Sequence, residues 1–416
     1  MQCTDKAQQI RRKAVTRPFE GVRVIEVAAW TFVPGAGAIL ADLGADVIKV
    51  EPPSGDPQRG LLNSINADTS LPNPFLQVPN RGKRSITLDL SCPAGIATLR
   101  HLVSTTDVFL TSYLPKVRAK LGIDPEDLRA GHERLIYVRG SGWGTKGPMA
   151  DAGGFDAAAA WSAAGIQHKL TAPGAAAPAA QPAAFFDLQG SSAIAGAVAM
   201  ALFRRERTGE GGVVDVSLLN TGMWTMSPDL AASAVGVSEL PRTDRLEAPN
   251  PIVNSYRTAD DRWLNLVCLQ SDRFWTELCE LIDRPELAKD ERFCDAGSRF
   301  VNRAACIAEL DQTFGSRTVQ EWRQELAGFS GVWSAAVTFD EVRDSAQVAE
   351  NGYLPTVAGT DDRPFRLVAP PYQFDGIPSV PAGPAPELGQ HTEEVLLESG
   401  LDWDKIGALR DEGALG

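Results

Sequence analysis

One carboxylate in this chain stands where covalent chemistry could be done. Ala184-Phe185-Phe186-Asp187-Leu188-Gln189-Gly190-Ser191-Ser192 sets an acid between aromatic rings and a glycine at the entrance to an alanine-rich helix. Asp is a common helix N-cap, which makes Asp187 structural. In the functional reading, the helix N-terminus keeps the carboxylate ionised and supplies N–H dipoles for an oxyanion, as a nucleophilic acid requires. A second acid, in Gly153-Gly154-Phe155-Asp156, reads most simply as an Asx turn or as a cap for the helix that follows.

Cations gather in two places. Asn80-Arg81-Gly82-Lys83-Arg84-Ser85 puts three around one glycine just before a strand, a setting suited to phosphate, and the plainer reading is a solvated charged loop. Lys116, Arg118 and Lys120 follow a Tyr113-Leu114-Pro115 turn, so a nucleotide with several phosphates and a base would use both segments. Gly35-Ala36-Gly37 suggests a dinucleotide loop with Glu51 as ribose acceptor, but the third glycine position is Leu40. Small residues that let a helix approach a sheet explain the pair better.

Other chemistry finds little footing. His101, His132, His168 and His391 have no partners at telling spacings, and no Ser-His-Asp or Cys-His set emerges. The six cysteines include no Cys-x-x-Cys pair, so neither a disulfide framework nor a bound metal is expected.

The elements that must position these groups follow the hydrophobic pattern. Val22-Arg23-Val24-Ile25-Glu26-Val27 and Ala45-Asp46-Val47-Ile48-Lys49-Val50 read as buried strands joined through a loop over 28–34 and a helix over 36–43. The theme recurs with strands at 85–90, 107–110 and 135–138 and a helix at 93–104, which predicts an open, doubly wound α/β sheet. Alanine-rich helices are expected at 157–164 and 191–207, with a strand at 213–218 after the Thr208-Gly209-Glu210-Gly211-Gly212 turn. From about Met223 the composition shifts toward Trp, Arg and Glu, and amphipathic helices at 272–281 and 319–326 suggest a smaller second unit. The Pro-rich stretch after Trp333 reads as a tail lying on a domain already built.

Lys and Arg number 40 against 53 Asp and Glu, a net charge of −13, which argues against nucleic acid as a partner. Residues 80 to 140 run the other way, with ten Lys/Arg to six Asp/Glu, so a local anion site is permitted. No run approaches the ~18 apolar residues of a membrane span, and Arg11-Arg12-Lys13 is followed by Arg17, Pro18 and Glu20 in place of an export signal's apolar region. A cytoplasmic protein without a membrane partner is expected.

In combination and order, several segments resemble the family III CoA-transferases, which include formyl-CoA and carnitine CoA-transferases and the α-methylacyl-CoA racemases. They are Gly21-Val22-Arg23-Val24-Ile25-Glu26, Leu40-Ala41-Asp42-Leu43-Gly44-Ala45-Asp46, Asn80-Arg81-Gly82-Lys83-Arg84-Ser85, Ser141-Gly142-Trp143-Gly144, Val214-Asp215-Val216-Ser217-Leu218 and Leu388-Gly389-Gln390-His391-Thr392. The resemblance runs from about Phe19 to Trp403. It implies a large CoA-binding Rossmann-like domain (19–224 with 330–416), a small α+β domain (225–329), a polar extension (1–18) and a homodimer of interlocked rings. It makes Asp187 the active-site nucleophile, attacked and attacking through mixed anhydrides and an aspartyl-CoA thioester. No prosthetic group is implied; acyl-CoA and a small carboxylic acid are the partners. Lys83 and Arg84 should then lie near the nucleotide phosphates, Thr31 near the thiol, and Ser112, Tyr113 and Lys120 around the adenosine, with Arg139 and Asp156 counted in the same binding set.

Departures narrow the activity. Racemases of this family carry a histidine directly before the acid of the glycine turn, where this chain has Phe155, and the supporting glutamate is missing from Leu269-Gln270-Ser271-Asp272. Epimerisation, which needs a base on each side of an α-carbon, is therefore the alternative, and an inactive CoA-binding protein a further one. The glycine-run lid of formyl-CoA transferases is absent, since 242–253 contains no glycine, and Trp30-Thr31-Phe32-Val33 hints at a bulky apolar acyl group.

Overall fold

Neighbouring residues of four central strands are apolar on both faces: Val24 and Ile25, Val47 and Ile48, Val108 and Phe109, Ile136 and Tyr137 are all buried. Successive strand residues point to opposite faces, so such strands need cover above and below. The computed structural model, which describes residues 17–416 except 67, 69, 71, 238–243 and 360–362, supplies both covers. All but two residues of the extension expected at 1–18 lie outside the described residues.

Strands β1 (Arg23–Val27), β2 (Asp46–Glu51), β3 (Arg84–Thr87), β4 (Val108–Thr111), β5 (Ile136–Ser141) and β6 (Gly212–Ser217) form one six-stranded sheet in the order β3-β2-β1-β4-β5-β6. Every pairing in it is parallel, with Ile25 opposite both Ile48 and Phe109. Val24, Val47, Val108 and Ile136 pack with the Phe32–Asp42 and Phe185–Thr208 helices on one face. Ile25, Ile48, Phe109 and Tyr137 pack on the other with Leu99 and Leu102 of the Pro93–Val103 helix and with Val395, Leu396 and Ile406 of two C-terminal helices. Each such side chain, fully buried, stabilises by roughly 1.5–3 kcal/mol. The chain winds outward to one side from β1 and to the other from β4, which opens a crevice between their carboxyl ends.

The C-terminal tail also covers the edge strand β3. Ser85 N–H donates to His391 Nδ1 at 3.2 Å and Ser85 O accepts from His391 N–H at 2.9 Å, while Thr392 Oγ1 accepts from Thr87 N–H at 3.1 Å. An edge that would invite another strand is thus occupied.

Two helices begin earlier than their sequence pattern predicts. The first runs Phe32–Asp42 instead of 36–43, because Pro34 falls in its first turn, where a missing N–H costs nothing. The long helix runs Phe185–Thr208 instead of 191–207, so Gly190, Ser191 and Ser192 lie inside it. Its N-cap is Ala184 at φ 56°, which puts Asp187 in the first turn and not at the cap. The helix expected over 157–164 is a π-helical turn, Ala157–Ser162. The long helix is also long and apolar enough to cross a membrane by length and composition, contrary to expectation. One side of it, Phe186, Ile194, Ala195 and Val198, is buried in the core beside the Phe32–Asp42 helix.

The chain divides into two compact units, Met1–Gly236 with Ala346–Gly416, and Val237–Ser345. The smaller therefore begins and ends later than the 225–329 expected. The Leu218–Thr225 helix leaves β6 and places Gly222 against Ala160 and Ala164 of the first unit. In the smaller unit, β7 (Val253–Arg257), β8 (Trp263–Val267) and β9 (Trp333–Ala335) pair antiparallel, which retains residues past 329. The Ser271–Leu281 and Val319–Glu325 helices bury Trp275 and Trp322 in a core of their own, on the amphipathic pattern read from the sequence.

Charged residues inside the sheet hold the loop that follows β1. Lys83 Nζ lies 2.7 Å from Glu26 Oε2, and Lys49 Nζ lies 3.3 Å from Glu26 Oε1 and 2.9 Å from Asp56 Oδ2, all with fully buried or nearly fully buried side chains. Burial works against the Lys49 charge, but Glu26, Asp56 and Glu51 together hold its pKa above the ordinary value. Burial likewise opposes the Glu51 carboxylate, yet Arg59, Lys49 and Ser85 bring it down to about 2. Removing one member of such a buried pair leaves an uncompensated charge and costs about 3–5 kcal/mol. Glu26→Leu should lower unfolding stability by that order in urea titration, and adding Lys83→Met should restore part of it. A double-variant loss equal to the sum of the Glu26→Leu and Lys83→Met losses would show that the two charges are not coupled.

Candidate functional site

A cavity of about 360 Å³ opens where β1, β4 and β5 end. The segment after β1 contributes Ala29 and Trp30, the segment after β4 Ser112 and Tyr113, and β5 itself Arg139 and Gly140. Asp187 lines it from the first turn of the long helix. This is the crevice that a doubly wound sheet reserves for ligands.

Close packing sets Asp187 there. Phe32 fits between β5 and the long helix only because both present glycine: a Cβ on Gly190 would stand 2.3 Å from its ring and one on Gly140 3.0 Å. Ser191 Oγ shares its one proton between Phe32 O at 2.7 Å and Asp187 O at 2.8 Å, which ties the start of one helix to the other. Gly35 meets Ser191 and Gly37 meets Glu26, so this pair serves close helix packing, not a dinucleotide.

The loop after β1 is tethered residue by residue. Lys49 Nζ donates to Ala28 O at 3.1 Å, Ala29 N–H donates to Ser112 Oγ at 3.2 Å, and Trp30 N–H donates to Asp56 Oδ1 at 3.4 Å. Gln58 Nε2 donates to Thr31 Oγ1 at 2.7 Å. Trp30 is held at φ 69°. Among the described residues, only Trp30 and Ala184 take a positive φ without being Gly, Asn or Asp, and both flank this site. Backbone strain of this kind persists where surrounding contacts enforce it, commonly beside a functional site.

The two acids have opposite surroundings. The Asp156 carboxylate accepts from Ala157 N–H at 2.8 Å, from Phe186 N–H at 3.2 Å and from Gln181 Nε2. It is buried and pins the first turn of the long helix. Among the described residues, none donates a hydrogen bond to the half-buried Asp187 carboxylate. Burial, with the Asp156 charge adding to it, pushes its pKa up to about 7. The expectation that the helix N-terminus keeps the Asp187 carboxylate ionised meets an opposing effect: among the described residues no N–H reaches it, and desolvation dominates.

Of the residues singled out from the sequence, the cavity brings together Asp187, Ser112, Tyr113 and Arg139. Arg139 Nε is paired with Asp215 at 2.6 Å. Thr31 lies one residue from the cavity wall, its side chain turned to Gln58, and Asp156 lies next to the lining Phe155. Lys120 is exposed on the Pro115–Leu121 helix. Lys83 and Arg84 are not at the cavity. Lys83 is buried on Glu26, Arg84 is bound to Asp46 at 2.7 Å and Glu398 at 2.8 Å, and Arg81 to Asp42 at 2.8 Å, so each cation of this segment already has a carboxylate. One of these partners, Glu26, was present in the sequence as a charge inside an apolar strand, as were Lys49 and Glu51, a pattern that signals buried pairing. The sequence reading also missed how Trp143 acts: its Nε1 donates to Gly153 O at 3.0 Å and clamps the glycine turn.

The description of the family whose model matches residues 19–392 is "CoA-transferase family III". Among curated proteins, the (R)-2-hydroxy-4-methylpentanoate CoA-transferase of Clostridioides difficile is 28% identical, covering 94% of this chain and 98% of its own length. A "probable fatty acyl-CoA transferase" of Mycobacterium tuberculosis is 32% identical, covering 91% and 98%. Among solved structures, a CAIB/BAIF family protein from Brucella suis superposes with a TM-score of 0.81 at 27% identity, covering 92% of this chain and all of that one.

A carboxyl whose folded pKa stands at about 7 against an ordinary 3.8 binds more protons folded than unfolded, so it withdraws stability as pH rises between those values. Asp187→Asn should therefore match the parent in thermal denaturation near pH 4 and exceed it at pH 8. A constant difference between the two across that range would contradict the assigned environment.

Proposed function

This chain belongs to CoA-transferase family III, and we propose that it moves CoA from an acyl-CoA donor to a carboxylic acid with Asp187 as the nucleophile. The supporting observation is the bare Asp187 carboxylate on the wall of the cavity at the carboxyl ends of β1, β4 and β5. A raised pKa suits it, since a carboxylate that is less well solvated and more basic attacks more readily.

In this reading, an Asp187 oxygen attacks the donor's thioester carbon, the C–S bond breaks, and CoA leaves as the thiolate with a mixed anhydride behind it. The thiolate attacks the aspartyl carbonyl and expels the donor's carboxylate, which leaves Asp187 as a CoA thioester. The acceptor carboxylate attacks that thioester, releasing the thiolate and forming a second anhydride. The thiolate then takes the acceptor's acyl group, and Asp187 returns as a carboxylate. Each step exchanges one carboxyl derivative for another, with no net proton and no redox change. Water must be kept from the anhydrides, which a recessed site favours.

The chain's own residues divide this work. Ser112 holds the loop bearing Trp30, Asp156 positions the turn bearing Asp187, and Tyr113 and Arg139 border the CoA path. With Lys83 and Arg84 committed to ion pairs, the exposed Lys116 and Lys120 are the cations that would meet the nucleotide phosphates. Two interlocked copies complete the proposal. In favour of a partner surface, Met200 and Phe203 on the long helix are 68% and 65% exposed and Trp224 is 81% exposed. Epimerisation lacks support, because Phe155 and no histidine lines the cavity, while Asp156 is buried and engaged by three hydrogen bonds.

Incubation with an acyl-CoA should leave a hydroxylamine-sensitive CoA adduct on Asp187, seen as a mass increase on its peptide. Asp187→Ala should remove the adduct and lower exchange by at least about 10³-fold. The kcat/KM for the donor should rise with pH and level off above about 7, where the free carboxylate is ionised. Deuterium uptake at the substrate α-carbon without CoA exchange would favour epimerisation. Sedimentation should give a particle of twice the 44.5 kDa chain mass.

A further inference from the structure

Two aromatic side chains at the cavity have no share in the core. Trp30 is 38% exposed and Phe155 59% exposed, yet both line the cavity with Asp187, and their rings meet edge to face at 5.4 Å and 89°. Neither is placed loosely. Trp30 sits at φ 69° on the loop tethered by Asp56 and Ser112. Phe155 follows Gly154, where a Cβ would stand 2.8 Å from Trp143 Nε1, so the turn is packed tight against that indole. Two exposed rings held on enforced backbone present a preformed apolar wall, which binds apolar groups without a further ordering cost.

The charges of the cavity point the same way. Its lining contains two cations, Arg118 and Arg139, and each has its own carboxylate: Arg118 Nε lies 2.8 Å from Asp124 and Arg139 Nε 2.6 Å from Asp215. Asp187 adds an unpaired acid. A second carboxylate on a bound acyl group would enter without a free counter-charge and beside a like charge, whereas an aryl or branched alkyl group would meet the two rings.

We infer that the Trp30–Phe155 wall selects acyl groups ending in a ring or branched hydrocarbon and that the site turns away acyl groups carrying a second carboxylate. This rests on Asp187 being the nucleophile, and it adds the substrate class. Phe155 and Trp30 act as specificity determinants, touching the acyl chain without taking part in bond exchange.

The first half-reaction tests it with no need to know the acceptor. The full chain is mixed with 3-phenylpropionyl-CoA or with succinyl-CoA, and kcat/KM is taken for formation of the Asp187 adduct. The phenylpropionyl donor should lead by about 100-fold or more, the scale on which a site discriminates by apolar fit and unpaired charge. Phe155→Ala should shrink that ratio by about 10-fold, and Phe155→Tyr, which keeps the ring, should recover most of it. Succinyl-CoA reacting as fast as phenylpropionyl-CoA, or a ratio unmoved by both Phe155→Ala and Trp30→Leu, would overturn the inference while the adduct itself upholds the transferase reading. No adduct from either donor would overturn both.

Discussion

Beneath the loop after β1 lies a set of charges that water does not reach, and the site above depends on it. Glu26, Lys49, Lys83 and Asp56 are each at most 4% exposed. Such groups are stable inside a protein only when every charge has a partner and the remaining donors and acceptors are used. Here the leftover valences are spent on one segment: Lys49 reaches the carbonyl of Ala28, and Asp56 accepts from the N–H of Trp30. Low dielectric makes these bonds directional and costly to break. That is the force holding a tryptophan in a left-handed conformation which its side chain disfavours.

The same principle, with its sign reversed, explains the acids. Asp156 and Asp187 are close enough for one charge to raise the pKa of the other, and the fold resolves the conflict by giving every nearby donor to Asp156. Asp156 becomes structure, and Asp187 is left half-buried without a donor. Environments that separate two like groups assign them different roles. The arrangement opposes stability at neutral pH, a common feature of sites that do covalent chemistry.

Legibility in the sequence varied with the range of the interactions involved. Strand positions and the doubly wound class followed from local patterns such as Val24-Ile25 and Val47-Ile48, and two helices of the smaller unit from the amphipathic stretches 272–281 and 319–326. Helix starts were missed at Phe32 and Phe185, because Pro34 and the Gly190-Ser191-Ser192 run look like interruptions until the partner surfaces are known. The partners of the basic run at 81–84 were hidden for the same reason. Its acids, Asp42, Glu26 and Asp46, lie roughly 40 to 60 residues away along the chain and meet it only in the folded chain.

By itself, the order of amino acids determined the parallel sheet, the apolar faces that must be covered, the family motifs and a carboxylate, Asp187, beside a helix entrance, since each is written in residues close together or recurring at a fixed period. Tertiary structure alone decided which cations are free and which acid stays bare. It also decided that Trp30 and Phe155, 125 positions apart, share one wall. Charge pairing and desolvation depend on distance in space, which no local pattern encodes.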